Sequence, residues 1–235
     1  MTDKTRLPDS ADFAHVTEWV FDLDNTLYPR HTDLFSQIDK KMTDYVRTLL
    51  DLDHEAARGI QKKYYREHGT TLQGLMLHHG IEPNDFLEKV HDIDYSWVKP
   101  DLALGEAIKA LPGRKFIFTN GDTPHAERTA RALGILDHFD DIFDIVAADL
   151  KPKPAPETYD RFLARHGVHK HKAAMFEDLP RNLLAPHALG MRTVLIVPNN
   201  LDEVLDEVWE HEGKDGDHVE YVTDDLAGFL KSAMA

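Results

Sequence analysis

Short apolar runs that stop abruptly at polar residues recur along this chain, with helical stretches between them. The runs are Trp19-Val20-Phe21, Lys115-Phe116-Ile117-Phe118, Ile142-Phe143-Asp144-Ile145-Val146, Ala173-Ala174-Met175-Phe176 and Thr193-Val194-Leu195-Ile196-Val197, with a weaker one at Val219-Glu220-Tyr221-Val222. A strand that is apolar on both faces needs cover on both faces, which a parallel sheet between helical layers supplies. Helical stretches at 124–133, 156–166 and 183–189 fit between the runs. The alternation predicts an α/β fold with a Rossmann-like three-layer core on a central parallel sheet.

One interval breaks the alternation. Between about residues 32 and 101 no strand-like run occurs. Phe35, Ile38, Met42, Tyr45 and Leu49 follow a helical period there, and further helices are predicted over 55–68 and 83–90. A helical block inserted between the first two core strands reads as a cap over the mouth of the sheet. The expected division is a core of residues 1–30 and 102–235 and a cap of residues 31–101, which 235 residues accommodate.

Composition narrows the chemistry. Cysteine is absent, which removes disulfides, thiolate metal sites and cysteine nucleophiles together. A net charge of −15 argues against nucleic-acid polymers, which need a basic footprint. No apolar run is long enough to span a bilayer, and residues 1–8 lack the apolar segment of a secretory signal, so a cytoplasmic address is expected. Oligomeric state is left open by the sequence.

Ligands of an open α/β sheet bind at the carboxyl ends of its strands. The residues placed there are Asp22-Leu23-Asp24-Asn25-Thr26, Thr119-Asn120-Gly121, a Lys-Pro segment from Lys151 to Pro156, and Glu177-Asp178. Asp22 and Asp24 are two apart, so their side chains leave the same face of an extended chain. Clustered carboxylates without cysteine suit a hard divalent cation such as Mg2+. A phosphate dianion entering such a site needs that metal, plus Lys153 and Thr119, to offset repulsion.

Asp-Leu-Asp-Asn-Thr directly after an apolar strand resembles the first motif of the haloacid dehalogenase superfamily. Thr119 resembles the second, Lys153 with Pro154-Ala155-Pro156 and Tyr159 the third, and Glu177-Asp178 with Asn182 the fourth. The spacing to an aromatic starts from Lys153, whereas Lys151 meets Glu157 at the same offset, so Lys151 is expected at the surface. The resemblance implies Asp22 as nucleophile through an aspartyl-phosphate and Asp24 as acid and then base, with a raised pKa when the cap shuts. It also implies Thr119 and Lys153 on the phosphoryl oxygens, helped by backbone N–H groups near Asn120 and Gly121. Mg2+ would be held by Asp22, the Asp24 carbonyl and Asp178, with Glu177 direct or one step removed. The superfamily's dehalogenases lack the second aspartate, so its presence favours phosphate esters.

The stretch 64–75, with Asp24 to Tyr28 and Phe118 to Gly121, resembles the pyrimidine 5'-nucleotidase branch with a helical cap of the C1 type. That implies hydrolysis of UMP or CMP. The alternatives are a phosphatase of phosphoglycolate, sugar phosphates or pyridoxal phosphate, and a catalytically silent binding protein. Asn25, Tyr28, His31 and Tyr64 are the candidate contacts to the leaving group. Tyr64 and Tyr65 cannot face one way on a helix, so one of them belongs in a core.

Each motif alone has a plain structural account. Aspartates cap turns, Thr-Asn-Gly makes a strand-to-helix turn, and a proline run makes a rigid loop. Four in one order, each at a strand end, outweigh those accounts. The histidine clusters His78-His79 and His169-Lys170-His171 lack zinc-site spacing and are read as surface or packing residues. The acidic stretch 202–212 is read as a solvated helix face.

Overall fold

The computed structural model of the protein describes residues 8–198 and 207–235. The segment read above for a signal, up to residue 7, and the first half of the acidic stretch, 202–206, lie outside the described residues. A short helix, α1 (Ser10–Phe13), leads into strand β1 (Glu18–Phe21). Four helices follow: α2 (Leu34–Leu50), α3 (His54–His68), α4 (Thr71–His79) and α5 (Pro83–Val90). The chain returns through α6 (Leu102–Ala110), β2 (Arg114–Phe118), α7 (Thr123–Leu133), β3 (Asp141–Phe143) and α8 (Pro156–His166). It ends with β4 (Ala173–Glu177), α9 (Leu184–Leu189), β5 (Arg192–Ile196), β6 (Tyr221–Thr223) and α10 (Leu226–Ala233).

The six strands of the described residues run parallel in one sheet of order β3-β2-β1-β4-β5-β6. Every residue of β1 and β4 is buried, as expected for strands covered on both faces. One apolar cluster, including Trp19, Phe21, Phe176 and Phe229, packs on the first face. A second, including Phe116, Phe118, Phe143 and Phe162, packs on the other. Strand order reverses between β1 and β4, and this is where a crevice opens at the carboxyl ends. The backbone N–H of Asp22 donates to the Phe176 carbonyl (2.9 Å), so Asp22 stands at that reversal.

The inserted helices have their own core of Ile38, Val46, Ala57, Tyr64, Leu75, Phe86 and Val90. Helix α4 was not predicted, because Thr70-Thr71 and Gly74 break the helical pattern. The structure uses each of them. Thr70 Oγ1 caps the helix by accepting from Gln73 N (3.1 Å). A Cβ at Gly74 would lie 2.4 Å from Tyr64 Cβ, so the glycine lets α4 press against α3. The third strand is shorter than its apolar run. Asp144 turns the chain by accepting from Thr123 and Ala147, and Ile145 leaves the sheet for the helical cluster.

Candidate active site

Asp22, first residue past β1, places a carboxylate in the crevice with only 7% of its surface exposed. Lys153 reaches it from the loop before α8. Its ammonium donates to Asp22 Oδ1 (2.6 Å), Glu177 Oε1 (2.8 Å) and the Phe118 carbonyl (2.8 Å). All three protons of the buried ammonium are therefore used, and its charge is held between two carboxylates. Lys151 lies on the surface. Asn120 accepts from Lys153 N (2.8 Å) and donates to Lys153 O (3.3 Å), so its amide fixes the backbone of the lysine.

Glu177, the last residue of β4, has both oxygens engaged. Oε1 takes Lys153 and Asn182 Nδ2 (2.6 Å), and Oε2 takes Leu179 N (3.0 Å). Asp178 accepts from Arg30 Nη2 (2.9 Å) and more distantly from Asn25 Nδ2 (3.4 Å). Asn25 adopts a left-handed conformation (φ 59°), which asparagine tolerates and which turns the chain back toward Asp178. Oxygens of Asp22, Glu177 and Asp178 lie within 4.8 Å of one another. Burial pushes Asp22 up to about 7, with Glu177 and Asp24 adding to the rise and Lys153 opposing it. Burial likewise pushes Asp178 well above the carboxylate range, beside Glu177 and against the pull of Arg30. Carboxyls raised in this way are fully ionised at neutral pH only with further positive charge beside them.

Asp24 differs from expectation. Its Oδ1 accepts from Tyr28 Oη (2.5 Å) and hydrogen-bonds His125 Nε2 (2.9 Å). Burial raises its pKa, but His125 and Tyr28 outweigh burial and hold the carboxyl below its ordinary value. The raised pKa expected of a general acid is absent in this conformation because two partners stabilise the anion.

A cavity of about 580 Å3 runs from these carboxylates up to the inserted helices. Asp22, Asp24, Asn25, His31, Asn120, Gly121, Lys153, Glu177 and Asp178 line it. Thr119 and Tyr28 stand behind that lining. Thr119 Oγ1 accepts from Gly121 N (2.9 Å), bracing the turn, and Tyr28 bonds Asp24. Tyr64 is elsewhere: it packs in the core of the inserted helices, with its hydroxyl 2.8 Å from His79 Nε2 and its ring stacked on His78. Tyr65 lines the cavity instead, because α3 turns that neighbour inward.

Several lining or supporting residues gave no sequence signal. Arg30 stands six positions after Asp24, at no recognisable spacing. Arg181 packs against the rings of both Tyr65 (4.7 Å) and Trp209 (4.8 Å), joining α3, the chain after β4 and the connection before β6. The acidic stretch is not a solvated helix face in its described part. Val208–His211 forms a 3-10 turn, Glu210 is buried and lines the cavity, and Trp209 packs edge-on against Tyr65 (5.0 Å). On the far wall Asp39 binds Lys62 (2.8 Å) and Arg58 (2.8 Å).

A family model described as haloacid dehalogenase-like hydrolase matches residues 20–190, well over half of the chain. The chain is 28% identical over 211 residues to phosphate metabolism protein 8 of Saccharomyces cerevisiae. The match covers 82% of this chain and 64% of that protein, so the chain spans less than two thirds of this relative's length. Among solved structures, a HAD phosphatase from Thermococcus onnurineus superposes with a TM-score of 0.59 at 18% identity, covering 92% of this chain and 97% of the other. CbbY from Rhodobacter sphaeroides, in complex with phosphate, gives 0.59 at 18%, covering 91% and 99%. L-2-haloacid dehalogenase from Xanthobacter autotrophicus gives 0.54 at 14%, covering 92% and 97%. At these identities the structural likeness concerns the fold alone. No helix of the described residues is long and apolar enough to cross a membrane.

Proposed function

The chain belongs to the haloacid dehalogenase-like hydrolase family, and from that membership we propose that it is a Mg2+-dependent phosphomonoesterase acting on a small metabolite. The observation that carries this reading is the state of Asp22. One of its oxygens is tied to Lys153, its carboxylate lines the cavity, and Asp24 stands two residues on. In the proposed reaction Asp22 bonds to phosphorus as the ester oxygen leaves with a proton from Asp24. Asp24 then takes a proton from the water that attacks the aspartyl-phosphate, and phosphate leaves with Asp22 regenerated. The Asn120-Gly121 turn positions the phosphoryl oxygens, and Lys153, its three protons already taken, holds Asp22 and sets a positive charge beside them. Residues 1–30 and 102–235 serve as the catalytic core and 31–101 as its cap.

The donors suit a hard divalent ion, since all are oxygens and two of the three carboxylates are pushed upward by burial. Asp22, Asp178 and the Asp24 carbonyl would hold it, while Glu177, with both oxygens already engaged, holds Lys153. When bound, the ion supplies positive charge that keeps those carboxylates ionised and offsets the phosphoryl oxygens.

The leaving group is read from the cap wall. Phe35, Met42, Tyr65, Leu72 and Phe86 line it. The lysine and arginine among its described residues, Lys62 and Arg58, are already paired with Asp39. This wall favours an uncharged, partly apolar leaving group over one carrying a second carboxylate or phosphate. A pyrimidine nucleoside, as in UMP or CMP, is the narrower form of the proposal, with a ring available to stack on Tyr65. The test is phosphate release from UMP, CMP, AMP, phosphoglycolate, sugar phosphates and pyridoxal phosphate, with Mg2+ and with EDTA. Release is expected with Mg2+ only, and phosphoglycolate is expected to be poor. A sugar phosphate leading would retire the nucleotide form, and no release from any ester would retire the phosphatase.

A further inference from the structure

Asp24 is held by an arrangement that the reaction scheme above does not use. Its Oδ1 carries both Tyr28 and His125, and among the described residues nothing hydrogen-bonds Oδ2. Two hydrogen bonds on one oxygen stop rotation about the Cβ–Cγ bond. That leaves Oδ2 as the oxygen of this cavity-lining residue without a protein partner among the described residues.

His125 is fully buried in the first turn of α7. Its backbone N–H donates to Asp122, the cap of that helix (3.0 Å). Its Nδ1 lies 3.0 Å from Tyr95 Oη, and the Tyr95 hydroxyl also donates to the His91 carbonyl (3.2 Å). The ring of His91 stacks on that of His125, with centroids 4.4 Å apart and planes within 9°. His91 Nδ1 in turn lies 2.9 Å from Asp122 Oδ1. The glycine beside the pair gives it room, since a Cβ at Gly121 would come within 3.2 Å of His125 Cδ2. A histidine buried for packing alone needs none of this. Here both ring nitrogens are engaged, one of them on the proposed acid and base, and one ring face is covered. His91 and Tyr95 sit on the segment that returns from α5 to α6, so the support comes from where the inserted helices rejoin the core.

We propose that His125 is a positioning residue for Asp24: with Tyr28 it aims Oδ2 at the leaving oxygen, and Tyr95 and His91 hold it in place. The inference rests on the phosphomonoesterase reading and deepens it.

The test uses two esters that differ in their need for acid. An alkyl phosphate must have its leaving oxygen protonated, whereas p-nitrophenyl phosphate releases a phenolate that departs unassisted. In rapid-mixing experiments with Mg2+, His125→Ala is expected to slow the first turnover of the alkyl ester about 100-fold, while the nitrophenolate burst changes by less than about threefold. His125→Gln, whose amide N–H can replace Nε2 as donor, should recover part of the loss. Tyr95→Phe keeps the packing and removes the bond to Nδ1, and should show the same selective loss at about tenfold. Equal losses with both esters, or none with the alkyl ester, would overturn the inference while leaving the phosphatase standing. Should His125→Ala not fold, the Gln and Phe variants decide by the same comparison. A wild-type protein with no burst and no alkyl turnover would overturn the phosphatase reading and this inference together.

Discussion

Lys153 has only 1% of its surface exposed, yet it carries a charge. It survives there because Asp22, Glu177 and the Phe118 carbonyl accept its three protons, and these carboxylates raise its pKa far against the effect of burial. Removing one partner from a buried ion pair leaves the other charge unpaired, at a cost of about 3–5 kcal/mol. Lys153→Ala is therefore expected to lose turnover and to lower the denaturation midpoint sharply. Asp22→Asn should also lose turnover, since a carboxamide cannot serve as the nucleophile, but with a much smaller change in stability. Denaturant titrations beside phosphate release check both. Similar midpoints for the two variants would show that the lysine is not stabilised in the way its contacts imply.

At the scale of elements, α2 and α3 are joined by a charged cluster in the wall of the cavity. Asp39 on α2 accepts from Arg58, Gln61 and Lys62 on α3. Burial raises the Asp39 pKa, but Lys62 and Arg58 outweigh it and the net shift is downward. A carboxyl whose folded pKa lies below its unfolded value near 3.8 adds stability above that pH, and loses it as pH falls through the folded pKa. Asp39→Asn should thus cost about 1–3 kcal/mol at pH 7 and progressively less below pH 4. Melting curves of both proteins at pH 7 and pH 3 test this. An unchanged gap between them would mean that the carboxylate charge does not tie the helices.

At the scale of the whole molecule, the cavity is closed by groups far apart in sequence. Arg181 from the core packs against both Tyr65 of α3 and Trp209 from the connection before β6, two rings that also touch each other. Ion pairs from Arg58 to Glu207 (3.6 Å) and Arg66 to Glu212 (3.9 Å) bridge the same seam. Each stacked cation contributes about 0.5–2 kcal/mol. Arg181→Ala is expected to raise KM about tenfold, corresponding to about 1.4 kcal/mol, with a smaller effect on kcat. An unchanged KM would show that the seam does not shape the substrate site.

The places of the strands along the chain and the chemistry at their ends were determined locally, whereas their order in the sheet belongs to the tertiary structure. Buried parallel strands are largely apolar, so the points where polarity resumes mark the carboxyl edge, and Asp22, Asp24, Glu177 and Asp178 all stand at or just beyond such points, while Lys153 follows the third strand on a longer loop. Helices α2, α3 and α5 were readable for the same reason, since one-sided burial imposes a helical period. Helix α4 was not, because Gly74 answers to its contact with Tyr64 rather than to any period of its own. The choice between Tyr64 and Tyr65 depended on the rotation of α3, which the packing of α4 sets. Tyr28 lies four residues from Asp24, but the His125 bond to Asp24 and the Tyr65–Arg181–Trp209 seam join segments tens of residues or more apart. No spacing encodes such contacts, so only the folded chain, which brings those side chains within hydrogen-bond or ring-contact distance, could assign them.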